Sequence, residues 1–315
     1  MWPCSAQVAW HPCMPTACSL KKEERTLYRM TSISHIATLA TKAAIDDLRL
    51  LLASLETWNT PAPAVFLYCD SFVQSKIASL SYTGPLTIRV TLDEYTEYTR
   101  AEMEKLPGKR TNLFFDFVCE KMNLLDWAFA SGAPHVLFCD ADICFLAPLF
   151  TVPSGTTLAV SQHMIRPADE ARFGTYNVGM IWMGLPELVG VWRDACAGSR
   201  FYEQVPMETV VASLPSDQVY KLPKTENYGW WRLWQGTESP TTLKAEWGIN
   251  RRGPGCGITV AGAPLGSVHT HFKETRDAAT AQFNAWVIMW LKKLAEVKHL
   301  PAKQFLKILL PPSGQ

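Results

Sequence analysis

A chain of 315 residues, 48% of them hydrophobic, can bury a sizeable core without disulfide or metal staples. Thirty basic and 29 acidic residues leave a net charge of +1, and no basic stripe runs along the chain, which argues against a nucleic-acid partner. No stretch reaches the roughly 18–20 apolar residues of a membrane span, so no transmembrane segment is expected.

Residues 1–29 carry three Pro, three Cys and no periodicity, and read as a flexible N-terminal tail. Met1–Met30 is interrupted by Pro, Cys and His, unlike a secretory signal. The nine cysteines include no CxxC pair, and several lie in apolar runs as small core residues do. That pattern favours a reducing compartment, and a cytoplasmic location is expected.

From Ser32 the chain alternates strand and helix. Ile33–Leu39 reads as a strand. Ala43–Trp58 reads as a helix, with Ile45, Leu48, Leu52 and Leu55 at helical spacing. Ala64–Cys69 is a second strand, Ser75–Leu80 a short helix, and Leu86–Val90 a third strand. Arg110–Ala130 is a long helix, and Gly132–Pro134 turns the chain into the strand Val136–Cys139. Beyond Leu149, strands are expected at Thr157–Ser161, Asn177–Met183, Val219–Leu222 and Ser267–His271. Helices are expected at Trp192–Ala197, Met207–Leu214, Ala278–Ala295 and Lys303–Leu309. Residues 223–265, rich in Gly, Pro, Trp and Asn, read as loop-rich, acceptor-facing structure. The implied fold class is α/β with helices on both faces of a mostly parallel sheet. Ligands bind such sheets at the carboxyl ends of strands, where Asp70 and Asp140 fall. Thr38, Thr41 and Asp70 are therefore candidates for a nucleotide.

The strongest chemical signal is Val136–Leu146, which places Asp140 and Asp142 inside an apolar segment. Carboxylates at i and i+2 of an extended chain point the same way. As buried like charges they repel, and a divalent cation relieves that cost. Hard oxygen ligands suit Mg²⁺ or Mn²⁺, with phosphate oxygens completing the shell. Asp140 and Asp142 could otherwise be two exposed turn residues. No Walker A, GxGxxG or nucleophile-elbow motif is present.

These residues resemble the DxD motif of sugar-nucleotide-dependent glycosyltransferases of the GT-A fold, especially the group that includes glycogenin and bacterial galactosyltransferases. The resemblance spans roughly residues 32–275 as scattered motifs. It implies a single GT-A-like domain over 30–315 with a mixed central sheet, residues 30–150 forming the nucleotide-binding half and 151–315 the acceptor-side half. It further implies a nucleotide-diphosphate sugar donor, UDP-sugar foremost, with Mn²⁺ or Mg²⁺ held by Asp140, Asp142 and a late His. That His is His271 or His269, which flank Thr270 and share one face of a strand.

By the same resemblance, Lys121 reaches the donor and Lys273 contacts the diphosphate. Asn177, in Tyr176-Asn-Val-Gly179, bonds donor-sugar hydroxyls. Glu203-Gln204 faces the reacting carbon, with Asp217-Gln218 as a rival pair. The family usually has Asp where this chain has Glu203, and its Gly and Lys-Pro-Trp signature after the late His is missing. The motif order looks like families that retain configuration. Trp230, Trp231 and Trp234 could form a platform for a glycan, protein or small-molecule acceptor. Two rivals are a non-catalytic sugar-nucleotide-binding protein and a metal-dependent nucleotidyltransferase. The latter usually carries an early Gly-rich loop where this chain reads Ala37–Ala43 without Gly.

Overall fold

The computed structural model describes residues 30–272, 277–297 and 299–310. The expected tail 1–29 and Lys273 lie outside the described residues. In chain order the main elements are β1 (His35–Ala40), α1 (Ile45–Trp58), β2 (Ala64–Cys69), α2 (Ser71–Lys76), β3 (Leu86–Val90), α3 (Leu113–Ala130) and β4 (Val136–Cys139). There follow β5 (Leu158–Gln162), β6 (Tyr176–Met183), α4 (Glu187–Ala195), α5 (Met207–Ala212), β7 (Val219–Lys221), α6 (Trp230–Gln235), β8 (Ser267–His269), α7 (Ala278–Glu296) and α8 (Leu300–Leu309).

Seven strands form one mixed sheet in the order β7-β5-β6-β4-β1-β2-β3. β6 runs antiparallel to both neighbours, and the other pairs are parallel. Alternation along the strands divides the core. Ile36, Ala40, Val65 and Leu67 pack on one face with α1, α7 and α8 through Leu48, Leu52, Phe283 and Phe305. Ala37, Leu39, Phe66 and Tyr68 pack on the other with α3, α4 and α5 through Met122, Leu125, Trp192 and Met207. Burial on both faces explains why these strands read as unbroken apolar runs.

The α/β class and the mixed sheet agree with the sequence reading, and β2, β3 and β4 match it residue for residue. Three expectations need correction. The helix expected at Ser75–Leu80 begins at Ser71, because the Asp70 carboxylate accepts the Val73 N–H (2.7 Å) and caps it. The helix expected at Trp192–Ala197 begins at Glu187, after Pro186. Residues 223–265 carry more regular structure than the loop-rich reading implied. They hold α6, a helix at Pro240–Ala245 and a three-stranded sheet of Trp247–Ile249, Ile258–Val260 and Ala263–Pro264.

A second small sheet decides the site. Its order is Tyr228–Gly229, β8, Cys144–Phe145. β8 lies antiparallel to Cys144–Phe145, two residues beyond Asp142, with Ser267 opposite Phe145.

Candidate active site

β4 ends at Cys139. The Asp140 N–H donates to Gly179 O on β6 (2.7 Å), and the Ile143 N–H donates to Asp140 O (3.1 Å). These bonds shape a turn that carries both aspartates. Pairing of β8 with Cys144–Phe145 then brings the late histidines to Asp142. His269 Nε2 lies 2.9 Å from Asp142 Oδ1, and His271 Nδ1 lies 3.2 Å from Asp142 Oδ2. One ligand atom from each of Asp142, His269 and His271 lies within 4.8 Å of the others. Asp142 Oδ1 is buried and, for all its closeness to His269, makes no well-directed hydrogen bond. A carboxylate oxygen and imidazole nitrogens converging in this way fit a divalent cation that accepts both donor types.

Burial disfavours charge on His269, but the Asp142 carboxylate outweighs it and holds the imidazole above its ordinary pKa. Burial also opposes charge on Asp142, and His269 with His271 holds that carboxyl well below the usual range.

Asp140 has a different neighbour. Lys121, on α3, is buried, and its Nζ lies 3.1 Å from Asp140 Oδ1 and 2.9 Å from Glu203 Oε1. Burial pushes the ammonium toward neutrality, and the two carboxylates reverse this, raising its pKa. The backbone of Glu203 is fixed in turn by Trp192 Nε1 on α4, which donates to its carbonyl (2.7 Å).

Pairing between β5 and β6 is irregular after Val160, where Ser161 faces Asn177. The break leaves Gly179 free of a partner on β5 and close to Asp140. A Cβ on Gly179 would stand 2.7 Å from both Asp140 Oδ2 and His269 Cε1, so glycine is needed here for space.

A cleft of about 530 Å³ opens over this arrangement. Asp140, Asp142, Asn177, Gln204, His269 and His271 line it, with Trp230, Trp231 and Trp234 of α6 on one wall. A side pocket of about 160 Å³ reaches Lys121, Glu203 and Gly179. Gln204 Nε2 donates to Phe173 O (2.7 Å), which leaves its amide oxygen as an acceptor. The rival pair Asp217-Gln218 lines neither space and belongs to a 3-10 turn leading into β7.

The candidates from the early strands are elsewhere. Thr38 is fully buried, and Thr41 is nearly so. Asp70 accepts the Lys42 N–H (2.6 Å), the Val73 N–H (2.7 Å) and the Thr96 hydroxyl (2.9 Å). Its carboxylate therefore ties together the segments after β1, β2 and β3. None of the three lines the cleft.

Sequence reasoning missed Arg100 and His163, both of which line the cleft. It also gave no role of its own to Asn227, which bonds Asn177 and His269. His163 was legible in principle, because it follows β5 at the same carboxyl edge as Asp140. Asn227 adopts a left-handed φ of 51°, a conformation Asn tolerates. Arg100 lies on a four-residue helix whose Thr99–Glu102 capping box signals a helix start and no chemistry.

No family model and no curated protein matches the sequence. Among solved structures, the galactosyltransferase LgtC, with donor and acceptor sugar analogues, aligns over 89% of this chain and 98% of its own at 10% identity, TM-score 0.48. Mouse xyloside xylosyltransferase 1, in its apo form, aligns over 64% of this chain and 90% of its own at 13% identity, TM-score 0.43. The apo glycosyltransferase GlyE of Streptococcus pneumoniae TIGR4 aligns over 84% of this chain at 13% identity, TM-score 0.45, and the aligned part spans 64% of GlyE. At this distance the function has to be argued from the site.

Proposed function

We propose that the chain is a metal-dependent glycosyltransferase that moves a sugar from a nucleotide-diphosphate donor, UDP-sugar foremost, to an acceptor hydroxyl. One observation carries this reading. Asp142, His269 and His271 converge beside Asp140 at the carboxyl edge of the sheet, under a cleft of ligand-binding size. Asp142 and the two histidines, with Asp140 adjacent, would hold Mn²⁺ or Mg²⁺, which supplies Lewis acidity toward a leaving diphosphate when bound. The mixed N and O donors favour Mn²⁺.

The chain's own residues supply the rest. Lys121 acts through Asp140 and Glu203, holding both carboxylates in place. Asn177, Glu203 and Gln204 surround the side pocket and offer hydrogen-bond partners to sugar hydroxyls. Thr38 and Thr41 remain the candidates for the nucleotide and Lys273 for the diphosphate, while Asp70 supports the nucleotide-side loops. Residues 30–150 then supply the nucleotide side and residues 151–315 the acceptor side.

Retention is the favoured outcome. Inversion needs a carboxylate placed to deprotonate the acceptor. Among the described residues lining the cleft, the carboxylates are Asp140, Asp142 and Asp169. Asp140 faces Lys121, Asp142 faces the histidines, and Asp169 pairs with Arg166 (2.8 Å). The leaving diphosphate oxygen is then the available base. The C1–O bond to it breaks, the acceptor oxygen bonds C1 from the same side, and the acceptor proton passes to the diphosphate. Gln204 or Glu203, which share the side pocket, would then stand beside the reacting carbon.

Trp230 and Trp234, 5.8 Å apart at the cleft wall, suit an acceptor that presents a sugar ring. The described cysteines are buried free thiols, which supports a reducing, cytoplasmic setting.

Incubation with a panel of sugar nucleotides tests the class. Release of nucleoside diphosphate from one donor is expected. Pyrophosphate release from a nucleoside triphosphate and a sugar phosphate would instead show a nucleotidyltransferase. Donor binding without turnover, whatever the acceptor, would show a binding protein.

A further inference from the structure

We infer that His163 is a positioning residue that, through Asn177 and Asn227, fixes His269 with its proton on Nδ1 and its Nε2 presented to the metal site. The inference rests on the metal reading above and deepens it. His163, Asn177, Asn227 and His269 form a continuous hydrogen-bond relay whose direction is set at each step.

The relay begins at Gly174. A carbonyl only accepts, so His163 Nδ1, 2.5 Å from Gly174 O, carries a proton. Burial holds the His163 imidazole neutral, with its pKa lowered to about 4. Its Nε2 is therefore an acceptor, and Asn177 Nδ2, 3.4 Å away, is the donor. The orientation of Asn177 has an independent check. The Gly179 N–H can only donate, and it donates to Asn177 Oδ1 (3.0 Å). The same oxygen accepts from Asn227 Nδ2 (2.8 Å). Asn227 Oδ1 must then face His269 Nδ1 at 3.1 Å, and that nitrogen must be the donor. Nε2 is left as the ring atom toward Asp142 Oδ1.

The relay is buried throughout. Asn227 is fully buried, and His163, Asn177 and His269 are nearly so. Water cannot readily substitute for a missing partner, so each polar atom depends on the next. Trp231 braces both ends. Its Nε1 donates to His163 O (3.0 Å), and its ring meets His269 edge-on at 5.0 Å. Partners of this kind set the tautomer and ring angle of metal-binding histidines and typically change affinity about 10- to 100-fold when removed. The relay also gives Asn177 a second duty besides any contact with the donor sugar.

The test uses metal-free protein labelled with ¹⁵N-histidine, with the His269 signals assigned through His269→Asn. Long-range ¹H–¹⁵N spectra are expected to show neutral His269 protonated on Nδ1. Mn²⁺ titration by calorimetry supplies the second readout. Asn227→Leu should weaken Mn²⁺ binding about 10- to 100-fold. His163→Phe should weaken it less and mix the His269 tautomers. His163→Gln, whose amide can donate to Gly174 and accept from Asn177, should restore most of both properties. A wild-type His269 protonated mainly on Nε2 overturns the proposal. So does a folded His163→Phe with unchanged tautomer and affinity. If the variants do not fold, the wild-type spectrum decides alone. Wild-type protein that binds no Mn²⁺ contradicts the metal-dependent transferase, and the spectrum still decides the relay.

Discussion

Lys121 Nζ stands 3.1 Å from Asp140 Oδ1, so the first aspartate of the pair is held from the α3 side by a buried cation. The same ammonium reaches Glu203 at 2.9 Å. Removing it leaves two carboxylates facing each other with no counter-charge. Lys121→Met should therefore lower stability by about 3–5 kcal/mol, measured by urea unfolding. A loss below about 1 kcal/mol, the range of surface pairs, would show that the triad is solvated and does not hold the site.

Gly179→Ala tests space. The new methyl would meet Asp140 Oδ2 and His269 Cε1 at 2.7 Å and Asn177 Oδ1 at 2.9 Å. Overpacking of this kind costs about 1–3 kcal/mol. The strain falls on the proposed ligands, so Mn²⁺ affinity should drop about 5- to 150-fold, the same energy expressed as binding. Unchanged Mn²⁺ titration would place the ion away from Gly179.

Glu226 predicts a pH dependence. Burial raises its carboxyl to about 7, against an ordinary 4.5, although the Ser267 hydroxyl bonds it at 2.7 Å. The folded state therefore keeps a proton that the unfolded chain has released. Stability should fall as pH rises from about 4.5 to 7, by an amount on the order of 3 kcal/mol. Glu226→Gln keeps an acceptor for Ser267 and removes the charge. It should flatten this segment of the profile and be the more stable protein above pH 7. Parallel unfolding profiles for the two proteins would contradict the assignment.

Trp234→Ala tests the acceptor wall. Trp234 is 60% exposed, so its loss should leave stability nearly unchanged. Ring stacking is worth about 0.5–1.5 kcal/mol. The acceptor KM should rise about 2- to 10-fold, with the donor KM unaffected. A change confined to the donor KM would move the acceptor elsewhere.

The parts of the fold legible in the sequence were those with sharp local punctuation. β2 lies between Pro63 and Asp70, β3 follows Gly84-Pro85, and β4 follows Gly132–Pro134. Asp140 and Asp142 stood out because two charges in an apolar run need a partner. α6 did not, because Trp230, Trp231 and Trp234 all line the cleft while Leu233 alone joins the hydrophobic core, so a Trp-rich stretch shows little helical pattern. Asp70 caps α2, a role the sequence does not separate from ligand binding, since a strand-end aspartate reads alike in either. The relay could not be read at all. His163, Asn177, Asn227 and His269 meet only because β5, β6 and β8 converge, and their contacts span as many as 50 residues.

Metal-dependent sugar transfer is decided by nucleoside diphosphate release from the preferred sugar nucleotide, measured for the wild type and for Asp142→Asn. Both are assayed with Mn²⁺ and after chelation with EDTA. Turnover is expected that EDTA abolishes, that added Mn²⁺ restores, and that Asp142→Asn lacks while remaining folded. Equal turnover with and without metal, or a fully active Asp142→Asn, would contradict it.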